Sequence, residues 1–377
     1  MVECGGSRRD PMTQGVAMRG AVFHEVGKEE ITYHEDIEVG DPGPGEVKVR
    51  IHAAGVCHSD LSAMNGTLPQ PAPAVLGHEG AGEIVAVGEG VTTPAVGDHV
   101  IVAWTPPCGV CEACLRGEAN LCVSIFFQIA GSQRFTVGGE PAFGFAGTGT
   151  FAEEMIVPSQ GVVKIPDDVP YEIGALIGCG VTTGVGAALN TAKIKPGSTV
   201  VVFGAGGVGI AAIQGARVAG AAEIVAVDMI PEKLEDAKRF GATHGTDPNG
   251  LDAVNMQINA GQGFDYAIEC IGLPQTVRAA YDAARRGGTA VIVGAGSSMA
   301  MVEFNCFELF FMEKKLLGSY YGSADVRTDF LRLIRLWRAG RLDLDGMISR
   351  RLDISQAQDA FDAMKRGEVI RQILTFA

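Results

Sequence analysis

The stretch VVVFGAGGVGIAA, residues 200–212, constrains this chain more than any other. Gly204, Gly206 and Gly209 form G-x-G-x-x-G at the junction of an apolar, β-type run and an Ala-rich helical run. Asp228 closes the next apolar run, EIVAVD, about twenty residues further on. Gly204 permits the turn, Gly206 lets a pyrophosphate approach the backbone, and Gly209 lets helix pack on strand. Gly207 and Val208 fall in the first helical turn, whose unpaired N–H groups suit phosphates. The plainer alternative is a glycine-rich turn with no ligand, but the flanking strand, helix and acidic residue supply the context the motif requires. The Asp228 carboxylate can accept from both hydroxyls of an adenosine ribose and opposes a 2′-phosphate, and Met229 supplies no compensating cation, so NAD is favoured over NADP. Lys233, on the following helical stretch, can reach the same ribose or be a solvated surface lysine.

With 377 residues the chain exceeds one average domain, and its texture changes along its length. Residues 1–17 lack periodicity and read as a disordered tail. From Ala21 to about Val102 short apolar runs alternate with Gly and Pro, as strands joined by tight turns do. After Pro170 short apolar strands alternate with helical stretches such as EKLEDAKRFGA, which predicts a parallel sheet covered by helices. Near Ser323 the pattern changes again: LRLIRLWRAG and ISQAQDAFDAMKRG read as helices and RQILTF as a strand, a segment that can return to the first domain.

Acidic residues outnumber basic ones by 44 to 30, and the basic ones are scattered, which argues against nucleic-acid partners. The N-terminus lacks a signal-peptide core and no uninterrupted apolar run approaches bilayer length, so neither secretion nor a membrane is expected and the compartment is expected to be cytoplasmic. A reducing compartment and an odd count of nine cysteines both disfavour a disulfide framework.

That places weight on PPCGVCEACLRGEANLC, where Cys108, Cys111, Cys114 and Cys122 are spaced C-x2-C-x2-C-x7-C on a Pro- and Gly-rich stretch. Four thiolates at close quarters need a compensating cation, and tetrahedral zinc accepts four sulfurs at one bond length, so a closed structural site follows. Buried free thiols are the alternative. Three further stretches carry single candidates: Cys57 in GVCHSDL, His78 in LGHEGAG and Cys179 in IGCGVTTG. Each alone reads as a structural His or a small buried hydrophobe. Together they are two sulfurs and one nitrogen, a set that leaves zinc an open fourth position. Spacing alone does not bring them together.

The ordered segments GVCHSDL, GHEGAGEIVAVG, CGVCEACLRGEANLC, GTFAEEMIVP, GCGVTTG, VVVFGAGGVG and IRQILTF resemble those of the zinc-dependent medium-chain alcohol dehydrogenases, from about Arg19 to the end. The resemblance implies an α/β chain: a Rossmann, doubly wound parallel-sheet coenzyme domain, residues 181–323, inserted into a mostly β, GroES-like catalytic domain, residues 18–180 and 324–377. It implies two zinc ions per chain, one catalytic on Cys57, His78 and Cys179, and one structural on the four clustered cysteines, with NAD as coenzyme. Glu79 is then beside or behind the catalytic metal and Asp60 orients His78. Thr183, at the start of a helix, resembles the residue that meets the nicotinamide, Arg371 the arginine that pairs with the coenzyme pyrophosphate, and His58 a residue that meets its phosphates.

The implied reaction is reversible hydride transfer between a small alcohol and NAD, with Ser59 as first proton acceptor. Ser62 stands where many relatives carry a histidine, so the outer relay passes through water or His58. Trp104 and Phe145 resemble the aromatic lining of the alcohol pocket, with core packing as the alternative; a bulky indole there favours primary alcohols. Relatives acting on the formaldehyde adduct of glutathione use an arginine from the segment after the structural site, where this chain offers only Arg134. A thiol-dependent formaldehyde dehydrogenase is therefore the second expectation, and a non-catalytic dinucleotide-binding protein the third. A loop of about thirty residues between Cys122 and Phe151 resembles that of dimeric relatives, so a homodimer is expected, with a tetramer as the alternative.

Overall fold

The structure, a computed structural model, describes residues 15–376. The expected tail falls largely outside that range. Strands Met18–Phe23, Thr32–Val39, Phe135–Val137, Glu140–Gly144 and Ala74–Val75 close into a small barrel. Beside it lies a seven-stranded sheet in the order Val162–Lys164, His99–Val102, Glu79–Val87, Glu46–Gly55, Arg371–Thr375, Ile348–Asp353, with Glu154–Pro158 pairing to the other edge of Glu46–Gly55. The two-residue period of EVKVRIHA explains the central strand: Val47, Val49, Ile51 and Ala53 are all buried while Arg50 and His52 between them are exposed. RQILTF adds to this sheet antiparallel, with Ile373 opposite Gly55, so the chain's last strand lies next to the turn that carries Cys57.

The second part is a six-stranded sheet in the order His244–Thr246, Glu223–Val227, Thr199–Phe203, Phe264–Glu269, Ala284–Ile292, Lys315–Gly318, parallel throughout. Its central strand is a continuous apolar run because both faces are covered. The order reverses at Thr199–Phe203, whose neighbours are Glu223–Val227 on one side and Phe264–Glu269 on the other. Such a switch point opens a crevice at the carboxyl ends of the strands. Helices Leu251–Asn259 and Pro274–Ala283, which the sequence reading did not single out, complete the cover.

Helix Tyr171–Thr191 corrects two expectations. Thr183 does not start a helix; it lies mid-way along one that begins directly after Pro170 and also contains Cys179. The glycines of GCGVTTGVG do not break it because they are where it packs closest: a Cβ on Gly184 would lie 2.3 Å from the Val208 carbonyl oxygen. Among the described residues this is also the one helix long and apolar enough to cross a membrane, which qualifies the reading that no such stretch exists. Of its most apolar 18-residue stretch, 83% is buried inside the fold, as a core helix requires. Nor is the segment between Cys122 and Phe151 a bare loop. It forms helix Ser124–Ala130 and the barrel strands Phe135–Val137 and Glu140–Gly144, its turns supplied by Gly131, Gly138 and Gly139.

Candidate catalytic and metal sites

Three different elements deliver Cys57, His78 and Cys179. Cys57 stands in extended backbone as the cap of helix His58–Met64, His78 immediately precedes strand Glu79–Val87, and Cys179 projects from the long core helix. With Glu79, their donor atoms lie within 4.8 Å of one another, and all four residues are buried. His78 Nδ1 is 3.4 Å from Asp60 Oδ1, which also accepts from the Gly77 N–H at 2.9 Å. Asp60 holds a proton on Nδ1; Nε2 is buried, makes no hydrogen bond of ordinary geometry, and becomes a free lone pair once its own proton leaves. An imidazole nitrogen of that kind, aimed among two sulfurs, completes a donor set that zinc fits.

The electrostatics agree. Burial alone would lower the His78 pKa, but the charge and hydrogen bond of Asp60, helped by Cys57, overturn this and push it up to about 10. Cys57 is drawn well below the usual thiol range, first by Cys179 donating to it and then, against burial, by His78. Cys179 is pushed well above it by the same pairing and by burial. Burial raises the Asp60 carboxyl, with His78 opposing. Glu79 is fully buried; its Oε1 accepts from the Gly180 N–H at 3.1 Å and its Oε2 forms an ion pair with Arg371. Ser59 Oγ lies 3.7 Å from Cys57 Sγ, and His58 stands exposed at the start of the same helix.

The second cluster is as compact. Cys108, Cys111, Cys114 and Cys122 bring four sulfurs within 4.8 Å of one another. The backbone N–H of Cys108 donates to Cys122 Sγ at 3.2 Å and that of Cys111 to Cys108 Sγ at 3.3 Å, contacts that favour thiolates. Cys111 is drawn down to about 6, first by the Cys114 backbone and then by that of Val123, while burial pushes Cys114 up to about 12. No free cysteine among the described residues forms a disulfide. The lobe is tied to the rest of the fold by Asn120 Nδ2, which donates to the Tyr320 carbonyl at 3.0 Å.

At the switch-point crevice, Gly204 adopts φ +91°, and a Cβ on Gly209 would lie 1.7 Å from the Gly204 carbonyl oxygen. Gly206, the cap of helix Gly207–Val218, faces open space: no atom lies within 4 Å of where its Cβ would be. Arg371 packs against Gly207, so a guanidinium stands beside the helix N-terminus. Asp228 follows strand Glu223–Val227; its Oδ2 accepts from the Ala205 N–H at 2.8 Å and its Oδ1 from the Ile230 N–H at 3.0 Å. Val208 lies in the first helical turn, Lys233 lies half-buried on helix Pro231–Arg239, and Thr183 Oγ1 is 3.9 Å from Cys179 Sγ. An open helix N-terminus flanked by a guanidinium and an acidic residue is a cradle that a dinucleotide fits.

Two residues escaped the sequence reading. Tyr321 donates through its hydroxyl to the Gly178 carbonyl, next to Cys179, and Tyr320 and Tyr321 both pack on Trp104. Only the doublet YYG at the change of texture near Ser323 marked that segment. Trp104 and Phe145 both stand edge-on to the His78 ring, at 6.3 and 5.2 Å between centroids.

A doubly wound sheet with an open phosphate cradle, joined to a β domain holding two cysteine-rich ion sites, defines a metal-dependent, dinucleotide-dependent dehydrogenase. Residues 43–167 match the alcohol dehydrogenase GroES-like domain and residues 207–336 the zinc-binding dehydrogenase domain. The chain is 39% identical over 353 residues to an S-(hydroxymethyl)glutathione dehydrogenase of Escherichia coli, covering 90% of this chain and 95% of that one. Among solved structures it is similar to an alcohol dehydrogenase zinc-binding domain protein from Burkholderia ambifaria, with a TM-score of 0.89, 33% identity, and 96% of this chain and 99% of that one covered. It is also similar to benzyl alcohol dehydrogenase from Acinetobacter calcoaceticus, with a TM-score of 0.86, 31% identity and the same coverage. The chain belongs to the zinc-dependent medium-chain alcohol dehydrogenase family; it is an enzyme of the zinc-binding, NAD(P)-dependent type, and its two clusters fit a catalytic and a structural zinc.

Proposed function

We propose that this enzyme oxidises a primary alcohol to an aldehyde, reversibly, at the Cys57, His78 and Cys179 cluster. The carrying observation is the buried Nε2 of His78, without a hydrogen bond of ordinary geometry, among two cysteine sulfurs and walled by Trp104 and Phe145. When bound there, zinc polarises the substrate's C–O group and NAD takes up the hydride. Asp60 holds the His78 tautomer, and Glu79 balances charge beside the site. Ser59 accepts the alcohol proton and passes it outward past Ser62 through water or the exposed His58. Gly204, Gly206, Gly207, Val208 and Gly209 receive the pyrophosphate with Arg371, Asp228 and Lys233 hold the adenosine ribose, and Thr183 meets the nicotinamide. The rigid aromatic walls exclude water and crowd branched carbons. In this reading residues 18–180 with 324–377 form the catalytic domain and residues 181–323 the coenzyme domain.

The name of the E. coli relative favours a second reading, a thiol-dependent formaldehyde dehydrogenase. Arg134 weighs against it: its guanidinium is already paired with Glu46. NADH formation from primary, secondary and aromatic alcohols, and from formaldehyde with and without added thiols, separates the two. Primary alcohols are expected to be the best substrates; activity only with formaldehyde plus thiol would reverse the order, and a preference for branched secondary alcohols would remove Trp104 as a pocket wall.

A homodimer is part of the same proposal. Strand Lys315–Gly318 ends the six-stranded sheet, and the adjoining helix Cys306–Met312 exposes Phe307 and Phe310 at 67% and 78%. An unpaired edge beside bare aromatic rings suits a second copy of the chain. Light scattering at micromolar concentration is expected to give twice the chain mass; four times that mass would favour the tetramer. Free thiols throughout the described residues accord with a cytoplasmic location.

A further inference from the structure

Outside both cysteine clusters, two imidazoles meet on the small barrel. His24 directly follows strand Met18–Phe23, and His34 lies within Thr32–Val39, which pairs with that strand antiparallel. Their Nε2 atoms are 3.1 Å apart, with ring centroids at 5.2 Å and ring planes at 52°. His34 Nδ1 lies 3.1 Å from Asp36 Oδ1. That carboxylate holds the His34 proton on Nδ1, so the Nε2 facing His24 carries a lone pair in the neutral ring. A single proton on His24 Nε2 then bridges the two rings, and a neutral imidazole can carry its proton on Nδ1 instead.

We propose that His24 and His34 hold a further metal ion, a divalent transition metal such as zinc, nickel or copper, in place of that bridging proton, with Asp36 supporting His34 from behind. Metal–imidazole bonds of about 2.0–2.1 Å set neighbouring nitrogens roughly 2.9 Å apart in a square and roughly 3.3 Å apart in a tetrahedron. The gap between the two Nε2 atoms falls between these values. A carboxylate behind a histidine fixes its tautomer and makes it a better ligand. Asp60 stands to His78 in the same way. His24 is exposed and His34 half-buried, so water can reach the ion and fill its remaining positions. Among the described residues only the two cysteine-rich groups gather three or more such ligands. The His24 and His34 site is therefore a two-ligand, exchangeable one, and its ion clips together the ends of the segment 25–33.

The test starts from enzyme loaded with two zinc ions per chain, dialysed against zinc at rising micromolar concentration and analysed for metal. A third ion per chain is expected in the native protein and none in His24→Gln or His34→Gln. Asp36→Asn is expected to bind it about 10–100-fold more weakly. Copper(II) should outcompete zinc at this site, and its electron paramagnetic resonance spectrum should show two coupled imidazole nitrogens. No third ion, a third ion that survives both histidine substitutions, or a copper spectrum with fewer than two such nitrogens overturns the proposal and leaves the pair as a hydrogen bond between strands.

Discussion

Glu79 and Arg371, 292 positions apart in the chain, form an ion pair in the interior, with side chains 0% and 5% exposed. Glu79 sits at the start of the strand that follows His78, Arg371 at the start of the last strand and against Gly207. One guanidinium therefore joins the metal cluster to the helix N-terminus of the coenzyme cradle.

Arg371→Gln leaves the Glu79 carboxylate buried without its partner. Removing one member of a buried pair costs about 3–5 kcal/mol, whereas removing both costs far less. Urea denaturation of the zinc-loaded protein is expected to show that loss for Arg371→Gln and to recover most of it in Glu79→Gln/Arg371→Gln. Equal losses in the single and double variants would mean that the pair is not coupled.

Asp60→Asn keeps the shape of the residue that orients His78 but removes its charge. Loss of such a supporting carboxylate weakens metal binding by about 10–100-fold. Chelator titration with zinc analysis should remove one of two zinc ions much more readily than from the native protein, leaving the four-cysteine ion in place. Simultaneous loss of both ions would point to unfolding rather than to a local effect.

In the metal-free protein His78 has a pKa of about 10, above the ordinary imidazole value of 6.5. A raised pKa favours the folded state fully below about 6.5, and this contribution declines as pH rises through about 10. The same proton, and that of the raised Cys179 thiol, must leave before a metal binds, so zinc affinity at this site should increase with pH across that window, by up to about two decades per unit for two protons. Competition titrations between pH 6.5 and 9 measure the slope; a slope near one decade per unit would show that one of the two groups is already deprotonated, and a flat profile that both are.

Asp228→Ser removes the charge that opposes a 2′-phosphate while keeping a small hydrogen-bonding group. Because this carboxylate also accepts from the Ala205 and Ile230 N–H groups, some loss with NAD is expected as well. The ratio of kcat/KM for NAD to that for NADP should fall by about tenfold or more, equivalent to ~1.4 kcal/mol. An unchanged ratio would place coenzyme selection elsewhere.

Much of this site was legible in the linear chain because some chemistry is local. The phosphate-binding turn lies within one strand, one turn and one helix, so its glycines and Asp228 stand at spacings set by backbone geometry alone. The four-cysteine lobe is local in the same sense, its sulfurs delivered by a short stretch with Pro106, Pro107, Gly109 and Gly117. The long helix was harder to read, because glycines that ordinarily weaken a helix are here the positions at which it meets Val208 and Gly322.

The order of residues by itself determined the alternation of strands and helices, the dinucleotide turn and the need for a cation at Cys108 to Cys122, since each depends on neighbours a few residues away. Only the tertiary structure decided that Cys57, His78 and Cys179 bring their donor atoms together, that Arg371 pairs with Glu79, and that Tyr321 packs on Trp104 beside His78. Those relationships join distant segments through sheet pairing and core packing, where side-chain burial and charge compensation, rather than spacing along the chain, choose the partners.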